Sequence, residues 1–251
     1  MSGHSSFYGE NTREHIMKLM DIHAHILPGP DDGAANLEES LKMIQMAENQ
    51  GIEKIIATSH HSPQFTNSRQ EVLGAYAQLK KALSENSKVE ISCGQEIFYS
   101  EDTLEELKAG ELLTMAGSSY LLVEFMPFDP FTRIFQGCSR LSAAGYGMIL
   151  AHAERYGCLR EQEHVEELLQ MGVRLQMNFR SIGDVWYRES TRWCRKMLRE
   201  QKIHFLGTDM HNTGNRKPET ERAVRWMKRH LEREYLDEIC WKNAEEILKI
   251  R

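Results

Sequence analysis

Two histidines, His23 and His25, end the first apolar run of the chain, and the aspartates Asp31 and Asp32 follow them. On a regular strand alternate residues point to one face, so the two imidazoles are predicted to lie side by side, with the apolar residue between them on the other face. Imidazole nitrogens in this arrangement suit Zn, Mn, Fe or Ni, and the two carboxylates can add hard oxygen ligands for a second ion. A His-x-His pair is also common on solvent-facing strands, so further ligand residues are needed to support a metal site.

Short apolar runs alternate with amphipathic segments along the chain, and these elements would position such a site. The runs indicate seven strands, at residues 19–26, 54–59, 89–93, 120–125, 147–151, 174–178 and 204–208. Helical patterns lie between them, at 37–50, 69–83, 101–108, 131–144, 163–171 and 184–201, and a last helical segment, 219–249, has a predicted break near Glu234 or Trp241. This alternation predicts an α/β fold with a parallel sheet, and closure into a barrel buries both faces of that sheet.

Six of the seven predicted strands end in residues of metal-ligand type. Barrels of this class carry their chemistry at the carboxyl ends of the strands, so these side chains are expected to meet at one mouth. They are His23 and His25, then His60 and His61, Glu96, Glu124, His152, and finally Asp209 and His211. The sixth strand ends in Met177-Asn178-Phe179, without a strong ligand. Such convergence predicts a multinuclear metal site.

Six segments resemble, in order, motifs of the polymerase and histidinol phosphatase (PHP) superfamily. They are Asp-Ile-His-Ala-His at 21–25, Thr-Ser-His-His at 58–61, Gly-Gln-Glu-Ile-Phe-Tyr at 94–99, Val-Glu-Phe at 123–125, Ala-His-Ala-Glu-Arg-Tyr at 151–156 and Thr-Asp-Met-His-Asn at 208–212. Within that superfamily the chain is similar to the bacterial manganese-dependent protein-tyrosine phosphatases of capsule and exopolysaccharide operons. The likeness runs from about Met20 to residues 243–248.

The resemblance implies a distorted (β/α)7 barrel that holds three divalent metal ions. Manganese is the expected ion, with iron, zinc or magnesium as alternatives. The implied ligands are His23, His25 and Asp209 for a first ion, Glu124 and His152 with a bridging Glu96 for a second, and Asp32, His60 and His211 for a third. Arg155 and Arg216 are implied to hold the phosphate, and His61 is a candidate general acid, with a metal-bound water as the alternative.

The chemistry expected of such a site is the hydrolysis of a phosphomonoester. Divalent ions polarise phosphoryl oxygens and lower the pKa of a bound water, so that hydroxide can attack phosphorus near neutral pH. The planar guanidinium groups of Arg155 and Arg216 can bind two phosphate oxygens each, although either arginine could instead form a surface salt bridge. The aromatic loop 125–131 could flank a substrate phenyl ring or cap the core, whereas Trp186, Trp193 and Trp226 are predicted to pack helices together.

Rival phosphatase mechanisms lack their motifs in this sequence. None of the five cysteines is followed six positions later by arginine, as a thiol phosphatase requires. Asp209 is followed two positions later by His211, which argues against an aspartyl-phosphate enzyme, and a Gly-x-x-x-x-Gly-Lys loop for nucleotide phosphates is absent.

The composition argues against several other classes of protein. The 251 residues carry a net charge of -6, which gives no basic field for nucleic acid. The odd number of cysteines, without a Cys-x-x-Cys pair, fits reduced thiols, and no apolar stretch approaches the roughly 20 residues of a membrane span. We therefore expect a cytoplasmic protein with a flexible extension at residues 1–17 and a single domain at 18–251.

Three functions remain consistent with the sequence. The first is a phosphatase for phosphotyrosine in a protein, with a bacterial tyrosine kinase of polysaccharide synthesis as the expected partner. The second is a phosphatase for histidinol phosphate or another small phosphomonoester. The third is a non-catalytic PHP module that only binds metal. Homo-oligomers are common in the resembled family, although nothing in the sequence indicates an interface.

Overall fold

Seven strands form one sheet in the computed structural model, which describes residues 17–83 and 87–249. The strands follow one another in chain order, and all neighbouring pairs are parallel. They are β1 (Leu19–Ala24), β2 (Ile52–His61), β3 (Glu90–Phe98), β4 (Tyr120–Glu124), β5 (Gly147–Leu150), β6 (Arg174–Asn178) and β7 (Phe205–Gly207). Residues 1–16 of the predicted extension lie outside the described residues, so the division of the chain near residue 17 stays a prediction.

The sheet closes between its first and last strands. The backbone N–H of Asp209 donates to the carbonyl of His23 at 2.8 Å, and the N–H of His25 donates to the carbonyl of Met210 at 2.9 Å. Together with the helices that follow the strands, this closure confirms the predicted (β/α)7 barrel. It also brings the ligand-type residues of the first and seventh strands next to each other.

Helices connect successive strands and surround the barrel. They are α1 (Leu37–Glu48), α2 (Arg69–Ala82), α3 (Thr103–Ala109), α4 (Phe131–Ala143), α5 (Gln162–Gln170), α6 (Phe179–Gly183), α7 (Glu189–Arg199), α8 (Glu221–His230), α9 (Arg233–Asp237) and α10 (Asn243–Lys249). Local sequence sets their starts: Asn36 caps α1 through the N–H of Glu39, and Ser68 forms a capping box with Glu71 at α2. Across the described residues, each helix is too short or too polar to cross a lipid bilayer.

Two strands extend further than the apolar runs indicate. β2 continues through His60 and His61, and β3 runs from Glu90 to Phe98 instead of ending at Cys93. The backbone pairing continues, with His60 beside Glu96, although the side chains at these positions become polar. Glu96 is therefore part of a strand, and the apolar pattern ended early because this part of the strand faces the mouth of the barrel.

Two predictions for the helical segments are wrong, and a third is confirmed only in part. The predicted helix 184–201 starts at Glu189, and residues 179–183 form the separate helix α6. The last helical segment was predicted to break near Glu234 or Trp241. It breaks first after His230, before α9 begins at Arg233, and the π-helical turn at residues 238–242 contains Trp241. Trp186 lies in the loop between α6 and α7 and is exposed, so it does not pack helices together as predicted, whereas Trp193 is buried.

Two cores hold the barrel together. The outer core joins the strands to helices that include α1, α2, α4, α5 and α7. The inner core fills the barrel below its mouth and joins the strands to α10; it contains Met20, Ile22, Ile56, Met115, Leu122, Ile149, Ala151, Phe205, Ala244 and Ile247. The pairing of β1 with β2 shifts between Asp21 and Ala24, and Ile22 packs in the inner core although Ala24 packs in the outer core. The strict alternation predicted for the first strand is therefore wrong. Because of this irregularity Ile22 and His23, although consecutive, both face the barrel interior.

Candidate metal centre

The predicted ligands meet at the carboxyl end of the barrel. Three overlapping groups of side chains have potential ligand atoms within 4.8 Å of one another. They are His23, His25 and Asp209; His60, Glu96 and Glu124; and His25, Asp32, His60 and His211. Strand register explains part of this convergence, because His60 pairs with Glu96 and Glu96 pairs with Leu122, which lies two residues before Glu124 on the same face of β4.

The first group matches the ligand set expected for a first ion. The Nε2 atoms of His23 and His25 are 3.2 Å apart, and Oδ1 of Asp209 lies 3.7 and 3.6 Å from them. The carboxylate oxygen Oε2 of Glu96 approaches the same two nitrogens at 3.0 and 3.2 Å. Four ligand atoms therefore point at one position.

Glu96 connects this group to the next. Its other oxygen, Oε1, lies 2.8 Å from Nε2 of His152, which is 3.5 Å from Oε2 of Glu124. The Nδ1 atom of His60 lies 3.1 Å from Glu96 Oε2 and 3.3 Å from Glu124 Oε1. Glu96 can thus bridge two ions, as expected, and His60 reaches the second position as well as the third.

The third group surrounds the more exposed carboxylate of Asp32. Its Oδ1 atom lies 3.4 Å from Nε2 of His211 and 3.6 Å from Nε2 of His60. The rings of His25 and His211 are stacked with their centroids 3.8 Å apart, so His25 joins this group although it was expected only at the first ion.

The donor set fits divalent cations. Nδ1 of His60, Oε2 of Glu96 and Nε2 of His211 are buried, and within the described part of the chain none of their close polar contacts has the geometry of a hydrogen bond. Unpaired buried polar atoms are costly, and coordination of a cation would satisfy all three. The set also mixes imidazole nitrogens with carboxylate oxygens, which suits manganese, iron or zinc.

Electrostatics at the site favours positive charge. Burial by itself lowers the pKa of His25, but the carboxylates of Asp31 and Glu96 outweigh it and raise this pKa to about 10. Burial and Arg155 likewise lower the pKa of His152, yet Glu124 and Glu96 raise it to about 9. The carboxylates therefore attract cations strongly, whether these are protons or metal ions.

Two of the candidate ligands have left-handed backbone conformations. The φ angle is 31° at His152 and 52° at Asp209, values that non-glycine residues rarely adopt. Each such residue costs on the order of 1–3 kcal/mol and persists where surrounding contacts fix it, often at functional sites. Here the turn after β5 aims His152 at Glu96, and the turn after β7 aims Asp209 at the two histidines of the first strand.

Asp31 forms hydrogen bonds to residues of the centre, a role that its type and spacing did not reveal. Its side chain accepts hydrogen bonds from Nδ1 of His25 and the N–H of His60, both at 2.8 Å, and from the N–H of Gly33 at 3.0 Å. When Nδ1 of His25 donates, Nε2 keeps its lone pair toward the site. The sequence suggested Asp31 as a metal ligand, but the structure places it beside the candidate ligand His25 instead.

Two amides of β6 form a second support that sequence reasoning missed. Gln176 Oε1 accepts hydrogen bonds from the N–H of His152 at 2.7 Å and from Nδ1 of His23 at 3.1 Å. Its Nε2 donates to Asn178 Oδ1 at 2.9 Å, and Asn178 Nδ2 donates to Asp209 Oδ2 at 3.0 Å. Both side chains are buried, so the strand without a strong ligand orients three candidate ligands. Two polar residues of one face in a buried strand were the available signal.

The two predicted phosphate-binding arginines reach the edge of the centre. Arg155 donates to Asp209 Oδ2, and Arg216 Nη2 donates to Asp209 Oδ1 at 3.0 Å. Arg216 Nη1 also lies 3.5 Å from Oδ2 of Asp32. Both guanidinium groups remain partly exposed, so they can bind an anion that approaches from solvent.

His61 is not brought to the cluster. Its Nε2 lies 3.5 Å from Oε2 of Glu106 on α3, because consecutive residues of a strand point to opposite faces and His60 takes the inner one.

The aromatic loop after β4 has one buried and one exposed phenylalanine. Phe125 is buried against Tyr99 with ring centroids 5.1 Å apart, whereas Phe128 points into solvent.

Comparison with known proteins shows which family the chain belongs to. A family model described as "Capsular polysaccharide synthesis, CpsB/CapC" matches residues 19–249. The tyrosine-protein phosphatase CpsB of Streptococcus agalactiae serotype V is 31% identical over 240 residues, which cover 92% of this chain and 98% of that protein. The tyrosine-protein phosphatase YwqE of Bacillus subtilis is 32% identical over 238 residues, which cover 92% of each chain.

A solved structure shares the fold at similar identity. It comes from work on YwqE of Bacillus subtilis and CpsB of Streptococcus pneumoniae, described as unique metal-dependent tyrosine phosphatases. It superposes with a TM-score of 0.84 at 30% identity and covers 93% of this chain and 95% of its own. The chain therefore belongs to the CpsB/CapC family of capsular polysaccharide synthesis.

Proposed function

We propose that this chain is a metal-dependent protein-tyrosine phosphatase that hydrolyses phosphotyrosine in a protein substrate. The observation that carries the proposal is the meeting of nine candidate ligands and two arginines at one mouth. These residues are His23, His25, Asp32, His60, Glu96, Glu124, His152, Asp209 and His211, with Arg155 and Arg216 beside them. The names of the relatives support the substrate class, and the match to a capsule-synthesis family supports a bacterial tyrosine kinase of that pathway as the partner.

Three divalent ions, with manganese as the expected metal, would be held by the three sets of ligands. When bound, they supply Lewis acidity toward phosphoryl oxygens and a nucleophilic water at neutral pH. Glu96 has one oxygen toward His23 and His25 and the other toward His152, which suits a bridging role between two ions. Asp31, Gln176 and Asn178 keep the ligands in place from the protein side.

Arg155 and Arg216 would bind and orient the phosphate. Their planar guanidinium groups converge on Asp209 from the solvent side, so an anion that reaches the centre meets donors from both. Charge that develops on the equatorial oxygens during phosphoryl transfer is stabilised by such donors. The tyrosine leaving group has an ordinary pKa of about 10, so it depends less on protonation than an aliphatic alkoxide does.

A comparison of substrates tests this proposal. Purified protein would be treated with a chelator, reloaded separately with Mn²⁺, Fe²⁺, Zn²⁺ or Mg²⁺, and assayed on a phosphotyrosyl peptide and on histidinol phosphate. We expect activity to disappear with the chelator, to return best with Mn²⁺, and to favour the peptide. Activity that survives chelation, or a preference for histidinol phosphate, would contradict the proposal, and loaded protein without activity on either compound would indicate a non-catalytic module.

A further inference from the structure

Large apolar side chains are exposed mainly at the rim of the mouth. Among the described residues five such side chains are exposed, and four of them lie on two loops at the carboxyl end of the barrel. Phe128 is 79% exposed and Met126 40% exposed on the loop between β4 and α4, and Trp186 and Tyr187 are 70% and 63% exposed on the loop between α6 and α7. The fifth, Leu73, is 36% exposed and lies on α2. Exposed large apolar side chains concentrated at one end of a molecule are typical of a binding surface.

The two loops lie on either side of the segment that carries Arg155. On one side, the N–H of Gly157 donates to the carbonyl of Pro127 at 3.2 Å. On the other side, the indole N–H of Trp193 on α7 donates to the carbonyl of Leu159 at 3.0 Å, and Arg160 lies 3.7 Å from Glu189 at the start of the same helix. A ligand whose phosphate is bound by Arg155 therefore has an aromatic loop on each side.

Hydrogen bonds fix the backbone of the loop that presents Phe128. The N–H of Met126 donates to Oδ2 of Asp129, and the N–H of Asp129 donates to the carbonyl of Met126, both at 3.0 Å. This turn leaves Phe128 at its tip. The backbone that carries Phe128 is thus fixed, while the ring itself is exposed to solvent.

The loop that presents Trp186 and Tyr187 is fixed in the same manner. Arg195 donates to the carbonyls of Ile182 and Asp184 at 3.1 and 3.3 Å, and Arg192 donates to the carbonyl of Tyr187 at 2.9 Å. The backbone of this loop therefore needs little further ordering when a ligand binds. Rigid aromatic side chains in such loops give contact area at a small cost in conformational entropy.

We propose that Phe128 and Trp186, with Met126 and Tyr187 beside them, bind the polypeptide segments that flank the phosphotyrosine of a protein substrate. This inference rests on the proposed function and names what that site recognises beyond the phosphoryl group. A protein chain whose tyrosine enters the mouth has to cross the rim, so its neighbouring apolar residues meet these rings. A free phosphomonoester extends no chain over the rim and gains nothing from them.

The test compares two phosphotyrosyl peptides, one with aliphatic and aromatic flanking residues and one with Gly and Ser flanks, against free phosphotyrosine. We expect Phe128→Ala and Trp186→Ala each to lower kcat/KM for the apolar peptide by about 5- to 30-fold, mainly through KM, because loss of an aromatic anchor has effects of this size. Activity on free phosphotyrosine should stay within about twofold of wild type. Leu73→Ala, which removes the exposed apolar side chain of α2, should change none of these values.

The outcomes separate this inference from the proposed function. If wild-type protein hydrolyses neither of the two peptides nor free phosphotyrosine, the proposed function is wrong. If it hydrolyses free phosphotyrosine but both variants keep the wild-type preference for the apolar peptide, the rim does not bind substrate. Equal losses of kcat/KM on the peptide and on free phosphotyrosine would also overturn the inference. So would a lower molecular mass of the variants than of wild type by light scattering, since that would make the rim an interface between copies of the chain.

Discussion

The two ends of the barrel interior are built from the same strands but from opposite kinds of side chain. On the inner face of β2, Ile56 belongs to the inner core and His60 to the candidate metal centre. On β4, Leu122 packs in the inner core and Glu124 lies in the centre. Burial of each apolar side chain is worth about 1.5–3 kcal/mol, whereas the clustered charges and left-handed residues at the mouth cost free energy. The free energy gained in the inner core therefore offsets the cost of the charged centre at the mouth.

The largest expected effect is the loss of activity when a residue of the candidate metal centre is replaced. His25 belongs to two of the three ligand groups and lies 3.2 Å from Glu96 Oε2. We expect His25→Ala to lower kcat/KM on a phosphotyrosyl peptide by on the order of 10³-fold or more, because it removes a candidate ligand that two of the three groups share. Steady-state kinetics together with metal content by mass spectrometry would check this. His230→Ala, at an exposed position of α8, is the matched control, and wild-type activity in His25→Ala would refute the assignment.

The next effect comes from the other end of the barrel. Ile56 is fully buried in the inner core, and truncation to alanine leaves a cavity there. We expect Ile56→Ala to lower the free energy of unfolding by about 2–5 kcal/mol and to leave kcat/KM of the folded protein within a few-fold of wild type. Urea denaturation measures the first quantity, with the exposed Leu73→Ala as control. A stable variant with lost activity would contradict the division between the two ends.

The third prediction concerns the amide that links two ligands. Gln176→Met keeps the size of the side chain but removes the acceptor for His23 Nδ1 and the His152 N–H. We expect Mn²⁺ affinity to weaken by about 10- to 100-fold, the usual effect of losing a supporting hydrogen bond behind a metal ligand. Isothermal titration calorimetry on chelator-treated protein would measure it. Gln45→Met, at an exposed position of α1, should bind as wild type does, and unchanged affinity in Gln176→Met would show that the amide has no positioning role.

The smallest expected effect involves His204, the residue directly before β7 at the end of the barrel away from the mouth. Burial, aided by Arg174, lowers the pKa of His204 to about 4, and its Nδ1 accepts a hydrogen bond from the N–H of Leu175 at 3.3 Å. Above about pH 6.5 this group is neutral in both the folded and the unfolded chain. As the pH falls from 6.5 toward 4, the unfolded chain takes up a proton that the folded chain excludes, so the free energy of unfolding decreases.

Replacement of this histidine isolates its contribution. We expect His204→Gln to lose less stability than wild type between pH 7 and pH 5, by about 1–2 kcal/mol. Denaturation of chelator-treated protein at the two pH values gives the difference, with His230→Gln as the exposed control. Equal pH dependence in wild type and His204→Gln would show that His204 is not held neutral by the fold.

The comparison of the two ends also explains what the sequence could reveal. Apolar runs marked the strands because the amino halves of the strands form the cores, and His, Asp and Glu marked the mouth because few other roles place them at successive strand ends. The extent of β3 was missed because Glu96 interrupts the apolar pattern while the backbone pairing continues. His61 was misjudged for a simpler reason: the alternation that paired His23 with His25 should have separated it from His60.

Other parts of the centre depend on tertiary contacts that sequence spacing does not encode. Gln176 and Asn178 share one face of a buried strand, which indicates a polar environment there, but nothing in their type or spacing identifies His23, His152 and Asp209 as their partners. The shift in pairing of β1 that lets His23 face the mouth depends on its neighbouring strand. Trp186 was predicted to pack helices together, but it lies in the loop between α6 and α7, where its side chain is exposed.

Anomalous diffraction from a crystal of the protein soaked in Mn²⁺ tests the central claim most directly. We predict three peaks at the mouth of the barrel, one between His23, His25 and Asp209, one between Glu96, Glu124 and His152, and one between Asp32, His60 and His211. A crystal from an active, manganese-loaded preparation that shows its peaks elsewhere on the molecule would contradict the claim that these side chains form the metal centre.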